Sequence, residues 1–302
     1  MSQPFVAIVN GAAGGGRCRK RAAEALASLR ARGVAIEEPR FTEAAGHATE
    51  IVRDAWAKGK RRFLGVGGDG TSCSVVNRLF PLASDAGGVP TLTSLPLGTG
   101  DSFLRDFGIQ DADAAMNAIA NARPRKVDVI RVHHADGVLH YLNLLGLGFT
   151  ATAGDLTNKR FKRFGVAGYV AAVLTTVVTL EHPLDVIRID DDPHPDGRPA
   201  AFLSFSNSQF TGGAMRMAPD ADPSDGFVDV IRAGAIGRAD LVATFPKIFR
   251  GAHVEHRLVE TRRARRVEFL EPRPQPCMID GEIVPLTLRS LEVLPGVLEV
   301  MA

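Results

Sequence analysis

The chain is poor in cysteine: Cys18, Cys73 and Cys277 are the only three in 302 residues. An odd, widely spaced set argues against a disulfide framework and fits a reducing compartment. No cysteine pair has metal-site spacing, and the one histidine pair of note, His253 and His256, forms an H-x-x-H outside the usual zinc spacings. An excess of one charge is lacking too. The formal net charge is +2, so no global field points to nucleic acid. No basic segment followed by an apolar one opens the sequence, and no signal peptide is expected. The uncharged apolar stretch at residues 165–180 falls short of the ~20 apolar residues that span a bilayer. Acylation and prenylation patterns are missing at both ends. There are no internal repeats or low-complexity segments, and no Walker A loop, G-x-x-x-x-G-K-[ST].

Glycine is plentiful, at 31 residues, and hydrophobic residues make up 45% of the chain. The first allows tight turns and close backbone approaches, which phosphate sites use. The second supports ordinary cores, and the length suits about two domains. Over the first 125 or so residues, short apolar runs at 5–9, 34–41, 63–66 and 91–95 alternate with helical periodicity at 17–32, 43–58 and from the Gly-rich loop to about 80. That alternation predicts a parallel α/β sheet. Beyond about residue 126 the texture changes to strands at 126–133, 138–147, 184–189, 200–207, 227–232, 258–261 and 266–270, joined by Gly, Pro and Asp turns. This predicts an antiparallel β-sandwich with helices inserted at 158–181 and 237–250. The expected division is an α/β domain over 1–130, joined by a returning strand within 292–302, and a sandwich over 131–291.

Four constellations carry chemistry. V-N-G-A-A-G-G-G-R, residues 9–17, leaves a strand and enters a helix, so its backbone N–H groups can approach an anion. G-V-G-G-D-G-T, residues 65–71, does the same. It fits G-x-G-x-x-G, but the acidic residue that a dinucleotide site needs about 20 positions later is missing. Asp69 inside that loop is informative: a carboxylate beside phosphate needs a divalent cation between them. L-P-L-G-T-G-D-S-F-L-R-D-F, residues 95–107, is a further Gly loop, bearing Thr99, Asp101 and Arg105. D-G-E, residues 280–282, lies far along the chain in a turn between strands.

Taken in order, these segments resemble the diacylglycerol kinase catalytic family, which includes sphingosine and ceramide kinases and many bacterial lipid kinases. The motifs are G-G-D-G-T at 67–71, P-L-G-T-G and F-L-R-D-F-G, the segment G-G-A-M-R-M-A-P-D-A-D-P-S-D-G-F-V-D-V at 212–230, and M-I-D-G-E at 278–282. The resemblance spans nearly the whole chain. It implies a lipid kinase that transfers the γ-phosphate of ATP, with Mg²⁺, to the hydroxyl of diacylglycerol or a related lipid, in phospholipid metabolism. It implies ATP contacts at Asn10, Gly11, Gly14, Thr42, Gly67, Gly68, Asp69, Gly70, Thr71, Ser72, Cys73 and Thr99. Asp69 would help hold the ATP-bound Mg²⁺, and Glu282 would be the general base. Asp128 matches an acidic residue of the metal network. A structural Mg²⁺ is implied in the P-D-A-D-P-S-D-G-F turn, on the Asp225 carboxylate and the Asp222 and Phe227 carbonyls. The chain departs from the family at Asp101-Ser102, where Asn-Asp is usual; the acid moves one place, about 100° around a helix.

The competing readings are an NAD kinase, which shares the G-G-D-G-T loop, and a catalytically silent nucleotide- or lipid-binding protein. The expected partner is a lipid at a membrane surface, reached reversibly from the cytoplasm, with no nucleic acid. Lys159, Arg160, Lys162 and Arg163 before the apolar stretch form the candidate docking segment. An antiparallel sheet edge could pair two chains as a homodimer.

Overall fold

The computed structural model describes residues 3–43, 46–86, 88–98, 102–121, 123–156 and 175–302. It divides into two compact units, one of residues 1–129 and 295–302, the other of residues 130–294.

The first unit is a parallel α/β sheet. Its strands are β1 (Val6–Asn10), β2 (Arg40–Thr42), β3 (Arg62–Gly67) and β4 (Thr91–Pro96), in the order β4-β3-β1-β2. Helices α1 (Cys18–Ala31), α2 (His47–Ala57), α3 (Asp69–Ala86) and α4 (Ala112–Asn121) connect them or follow them. In α1 the buried residues Cys18, Ala22, Ala25, Leu26 and Leu29 recur at helical spacing. In α2 the set Ala48, Ile51, Val52, Ala55 and Trp56 does the same. Each helix therefore turns one stripe to the sheet and a charged face to solvent. Strand β3 is buried on both faces and reads as a continuous apolar run, as a central parallel strand should. Register joins Ile8 to Arg40, Ile8 to Gly65 and Gly65 to Ser94, so the C-terminal ends of β1, β2 and β3 lie level. The run at 34–41 yields only the short β2 and a single bridge from Phe5 to Ile36.

The second unit is antiparallel. Its elements are β5 (Pro124–His134), β6 (Gly137–Tyr141), β7 (Leu144–Gly148), α5 (Phe149–Leu156), β8 (Ile187–Ile189), β9 (Phe202–Ser206), the small pair β10 (Phe210–Thr211) and β11 (Met215–Arg216), β12 (Val228–Ala233), α6 (Arg238–Thr244), β13 (Val259–Ala264), β14 (Arg266–Phe269), β15 (Pro274–Ile279) and β16 (Glu282–Met301). One layer runs β13-β12-β9-β7-β15-β16; β14 pairs with β16 and β8, and β5 with β16 and β6. Strands β5 and β16 each begin in one unit and end in the other, and Glu299 of β16 pairs in parallel with Thr91 of β4. Between the sandwich faces lies a core that includes Tyr141, Phe205, Val230, Val267, Cys277 and Leu291. The Tyr141 hydroxyl donates to the Phe205 carbonyl at 2.9 Å, which lets a polar group sit in that core without penalty.

Of the helix expected at 158–181, residues 158–174, with the whole basic cluster at 159–163, lie outside the described residues; residues 175–177 are helical. Among the described residues no helix is long and apolar enough to cross a membrane.

Two histidines of the second unit are buried and held neutral. Burial lowers the pKa of His140 to about 4, with Arg131 and His133 adding to the effect. Burial also lowers His253 to about 4, against a bond to the Met217 carbonyl at 3.0 Å. Both folded values lie below the unfolded one, so their stabilisation is full above pH 6.5 and is lost as pH falls towards 4. Each is worth on the order of 3 kcal/mol over that range. Denaturant unfolding at pH 7.5 and 4.5 should show the loss, and His253→Gln should flatten the slope between the two.

Candidate active site

In the first unit, Gly-rich loops meet at the C-terminal ends of the parallel strands. Gly98 N–H and Leu97 N–H both donate to the Gly67 carbonyl, at 2.8 and 3.0 Å. This approach leaves no room for a side chain: a Cβ on Gly98 would stand 3.0 Å from Gly67 O and from Gly68 N and Cα. Gly14, in left-handed backbone at φ 62°, brings the first loop against the Leu97 carbonyl, 3.1 Å from where its Cβ would be. The loops after β1, β3 and β4 are thus in direct contact. A cavity of about 290 Å³ opens beside them, lined by Asn10, Ala12, Thr42, Glu43, Gly46, Ala48, Gly70, Thr71 and Ser74. Ligand crevices of open α/β sheets lie at this end of the strands.

Of the residues expected to contact nucleotide, Asn10, Thr42, Gly70 and Thr71 line this cavity, while Gly67 and Gly68 form the loop beneath. Asn10 Oδ1 accepts from Ala12 N–H at 3.2 Å, which shapes the first turn. The Thr71 hydroxyl is buried and has no hydrogen-bond partner among the described residues. A buried hydroxyl left unpaired costs about 1–3 kcal/mol, so the site is built for a group that completes it. Ser72 turns away from the cavity and shares a 2.7 Å bond with Ser94 on β4. Cys73 contributes its carbonyl and sulfur to Asn77 Nδ2, at 3.0 and 3.4 Å. Thr99 and Asp101 lie outside the described residues. Ala12 belongs to the first expected loop, whereas Glu43, Gly46, Ala48 and Ser74 were not anticipated; Ser74 was accessible to reasoning, since it follows Thr71 by three residues on one helical face.

Asp69 has a structural task that the sequence concealed. Both carboxylate oxygens stand 3.0 Å from Ser102 N–H. The idea that this carboxylate serves a cation alone therefore needs correcting: it also ties the third Gly loop to the second. Ser102 is buried, at the position where the family's usual acid would sit. Asp128 is buried too, and its Oδ1 accepts from Gly296 N–H at 2.7 Å, which fastens the β5 end in this unit to the turn of β16.

In the second unit, Asp280 and Gly281 form a two-residue hairpin between β15 and β16, with Ile279 paired to Glu282. Both turn residues have positive φ, 46° and 86°, as a type I′ turn requires and an Asp-Gly pair accepts. The buried Asp280 carboxylate accepts three successive N–H groups, from Leu142 at 3.0 Å, Asn143 at 2.9 Å and Leu144 at 3.0 Å. Glu282 opens β16 and is exposed.

The acidic turn lies in the same unit. Asp222 Oδ1 accepts from Ser224 N–H and Oγ, at 3.0 and 2.6 Å, and Asp225 Oδ1 accepts from Phe227 N–H at 2.9 Å. Arg263 on β13 pairs with the other Asp225 oxygen. Burial, with Asp222 adding to it, still raises the Asp225 carboxyl above its usual range. Asp229 is pushed up to about 6, by burial and then by Asp225 and Asp220. Sequence reasoning missed Asp229; only the register, which sets it opposite Arg263, reveals it. Burial is the main cause at both carboxyls and Arg263 opposes it; the oxygen ligands of the turn are of the kind that suits a divalent cation. Among the described residues no three His, Cys, Asp or Glu side chains cluster as a metal cage. The implied set, one carboxylate and two carbonyls, needs no such cluster.

Comparison with known proteins agrees with this geometry. Residues 4–132 match the diacylglycerol kinase catalytic domain, and residues 143–302 match the YegS C-terminal NAD kinase beta sandwich-like domain. A diacylglycerol kinase of Mycobacterium tuberculosis (strain ATCC 25618 / H37Rv) is 30% identical over 98% of this chain and 94% of its own length. A diacylglycerol kinase of Bacillus subtilis (strain 168) is 28% identical, over 80% of this chain and 77% of the relative. A solved diacylglycerol kinase structure from Bacillus anthracis str. Sterne superposes with a TM-score of 0.69 at 20% identity, covering 99% of this chain and 96% of that one, and so shares the fold. The chain belongs to the diacylglycerol kinase catalytic-domain family.

Gly98→Ala should cost about 1–3 kcal/mol, because backbone on the facing loop cannot yield as a side chain would. Thermal unfolding of the variant, with its Tm several degrees below wild type, is the measurement.

A second expectation concerns the acidic turn. Mg²⁺ should raise the Tm of the wild type, and Asp225→Ala should remove most of that rise, because an ion stabilises only the state that binds it. Equal Mg²⁺ responses in calorimetry would show that the turn holds no ion.

Proposed function

We propose that this chain is an ATP-dependent lipid kinase that phosphorylates the hydroxyl of diacylglycerol or a related lipid. The observation that carries the reading is the cavity at the ends of β1, β2 and β3. It is bordered by mutually contacting Gly loops, with the unpaired Thr71 hydroxyl among its lining residues. Backbone N–H groups and helix N-termini suit a polyphosphate, and the G-G-D-G-T loop supplies both. A relative matched over nearly its full length and another matched over about three quarters carry the diacylglycerol kinase name, which supports the choice of acceptor.

On this reading the first unit binds ATP through Asn10, Gly11, Gly14, Thr42, the 67–73 loop and Thr99, and the second unit binds the lipid. Asp69 would help hold Mg²⁺, which would supply positive charge to the transferred phosphoryl group. Asp69 also keeps the third loop in place through Ser102, so one carboxylate would serve both the loops and the metal. Asp101 and Asp128 stand as outer members of that network. Glu282 accepts the proton of the attacking lipid hydroxyl, a contribution of roughly 10²–10⁴-fold. A second Mg²⁺ in the acidic turn, on Asp225 and the Asp222 and Phe227 carbonyls, would compete with Arg263 for the Asp225 carboxylate. Docking at the membrane is reversible and draws on the basic cluster at 159–163.

The test is incubation with labelled ATP and a panel of diacylglycerol, monoacylglycerol, sphingosine, ceramide and NAD. Label should enter a lipid, and more so from anionic than neutral vesicles at low salt, the difference fading at high salt. Asp69→Asn should lower kcat at least roughly 10²-fold with little change in Tm, because the amide oxygen can still accept Ser102 N–H. Label in NAD alone, or in nothing, would overturn the reading.

A further inference from the structure

The exposed Glu282 carboxylate has no hydrogen-bond or ion-pair partner among the described residues, so nothing on the side chain fixes its position. A general base must come within hydrogen-bond reach of one proton, and an unpartnered glutamate relies on its backbone for that. The backbone at Glu282 is held by a neighbour two residues away. Asp280 is among the few non-glycine residues with positive φ; among the described residues Asp190 is the other. Its buried carboxylate gathers the N–H groups of Leu142, Asn143 and Leu144, and its own N–H donates to the Leu144 carbonyl at 3.1 Å. The far side of that turn is held as firmly. Asn207 Nδ2 donates to the Leu142 carbonyl at 2.8 Å, and Asn207 and Ser208 N–H donate to the Asn143 carbonyl at 2.8 and 3.2 Å.

A two-residue Asp-Gly hairpin forms without such an anchor. Three convergent donors on one buried carboxylate exceed what the turn needs, and they bind it to a second turn more than 130 residues away in sequence. We propose that Asp280 is the positioning residue of Glu282: its carboxylate, locked into the N–H cup of residues 142–144, fixes the hairpin from which Glu282 projects. The inference rests on the reading of Glu282 as the base. Asp280 needs its full charge for the task. An amide there would turn one acceptor into a donor facing donors, and the turn would loosen.

The experiment is a double-mutant cycle on the full chain with MgATP and a short-chain diacylglycerol, comparing Asp280→Asn, Glu282→Gln and the pair. Asp280→Asn should lower kcat by roughly 10²-fold, with KM for MgATP within about twofold. In the Glu282→Gln background the same change should cost less than about twofold, since the residue acts through a base already removed. An equal fold-loss in both backgrounds would make Asp280 merely structural and overturn the proposal, as would an unaffected kcat in the single variant. Wild-type kcat in Glu282→Gln would instead refute the base and the proposal with it, while phosphate transfer to lipid would still stand. If Asp280→Asn does not fold, Gly281→Ala serves, because its Cβ meets nothing within 4 Å yet must adopt φ 86°. It should repeat the same pattern across the two backgrounds, and losses that multiply would again refute the idea.

Discussion

Backbone contact between neighbouring loops is the constraint on which the first unit depends. Gly98 and Leu97 spend their N–H groups on one carbonyl, Gly67 O, and this fixes the spacing of the second and third loops. Once that spacing is set, Asp69 reaches Ser102 N–H and the first loop closes on Leu97 through Gly14. Gly98 and Gly14 are therefore a steric requirement of the site, because a side chain added at either would push one Gly loop from another.

Acidic residues do more for this fold than a functional reading assigns them. Asp69, Asp128, Asp280 and Asp225 each accept at least one backbone N–H, and two of these carboxylates, Asp128 and Asp280, join segments more than 130 residues apart. Charged acceptors make strong hydrogen bonds, and buried ones persist only where several donors converge. A family motif read as chemistry alone thus understates what its carboxylates hold together. Substitutions that remove the acceptor at these positions act on structure and activity together, and separating the two requires coupled variants or ones that keep an acceptor oxygen.

Much of the fold was legible. Helices α1, α2 and α3 followed from period and loop chemistry, and β1, β3 and β4 from short apolar runs. The expected strand at 138–147 is in fact two, β6 and β7, separated at Leu142 and Asn143. Local sequence gives only one Asn as a hint, because the break is held from Asp280. Most of β16 escaped notice because Pro285, Pro295 and Gly296 argue against a strand; Pro285 is tolerated opposite Pro276, where neither ring nitrogen can donate. The candidate site was legible as motifs, whereas its pairings were not. Ser72 facing Ser94, and Asp229 beside Asp225, depend on register and burial that one sequence does not display.

The course of β16 bears on how the molecule is made. The first unit is discontinuous, and β4, already paired with β3, gains its second parallel neighbour only when residues 295–302 are present. The second unit occupies one uninterrupted segment, 130–294. On the ribosome, therefore, the N-terminal sheet must wait with one edge open while the whole antiparallel unit is synthesised, and that later segment can complete its own set of strands first. An open parallel edge is a template for unwanted pairing. Chaperone dependence, and the yield of fragments that stop short of residue 295, should follow from that delay rather than from the stability of either core.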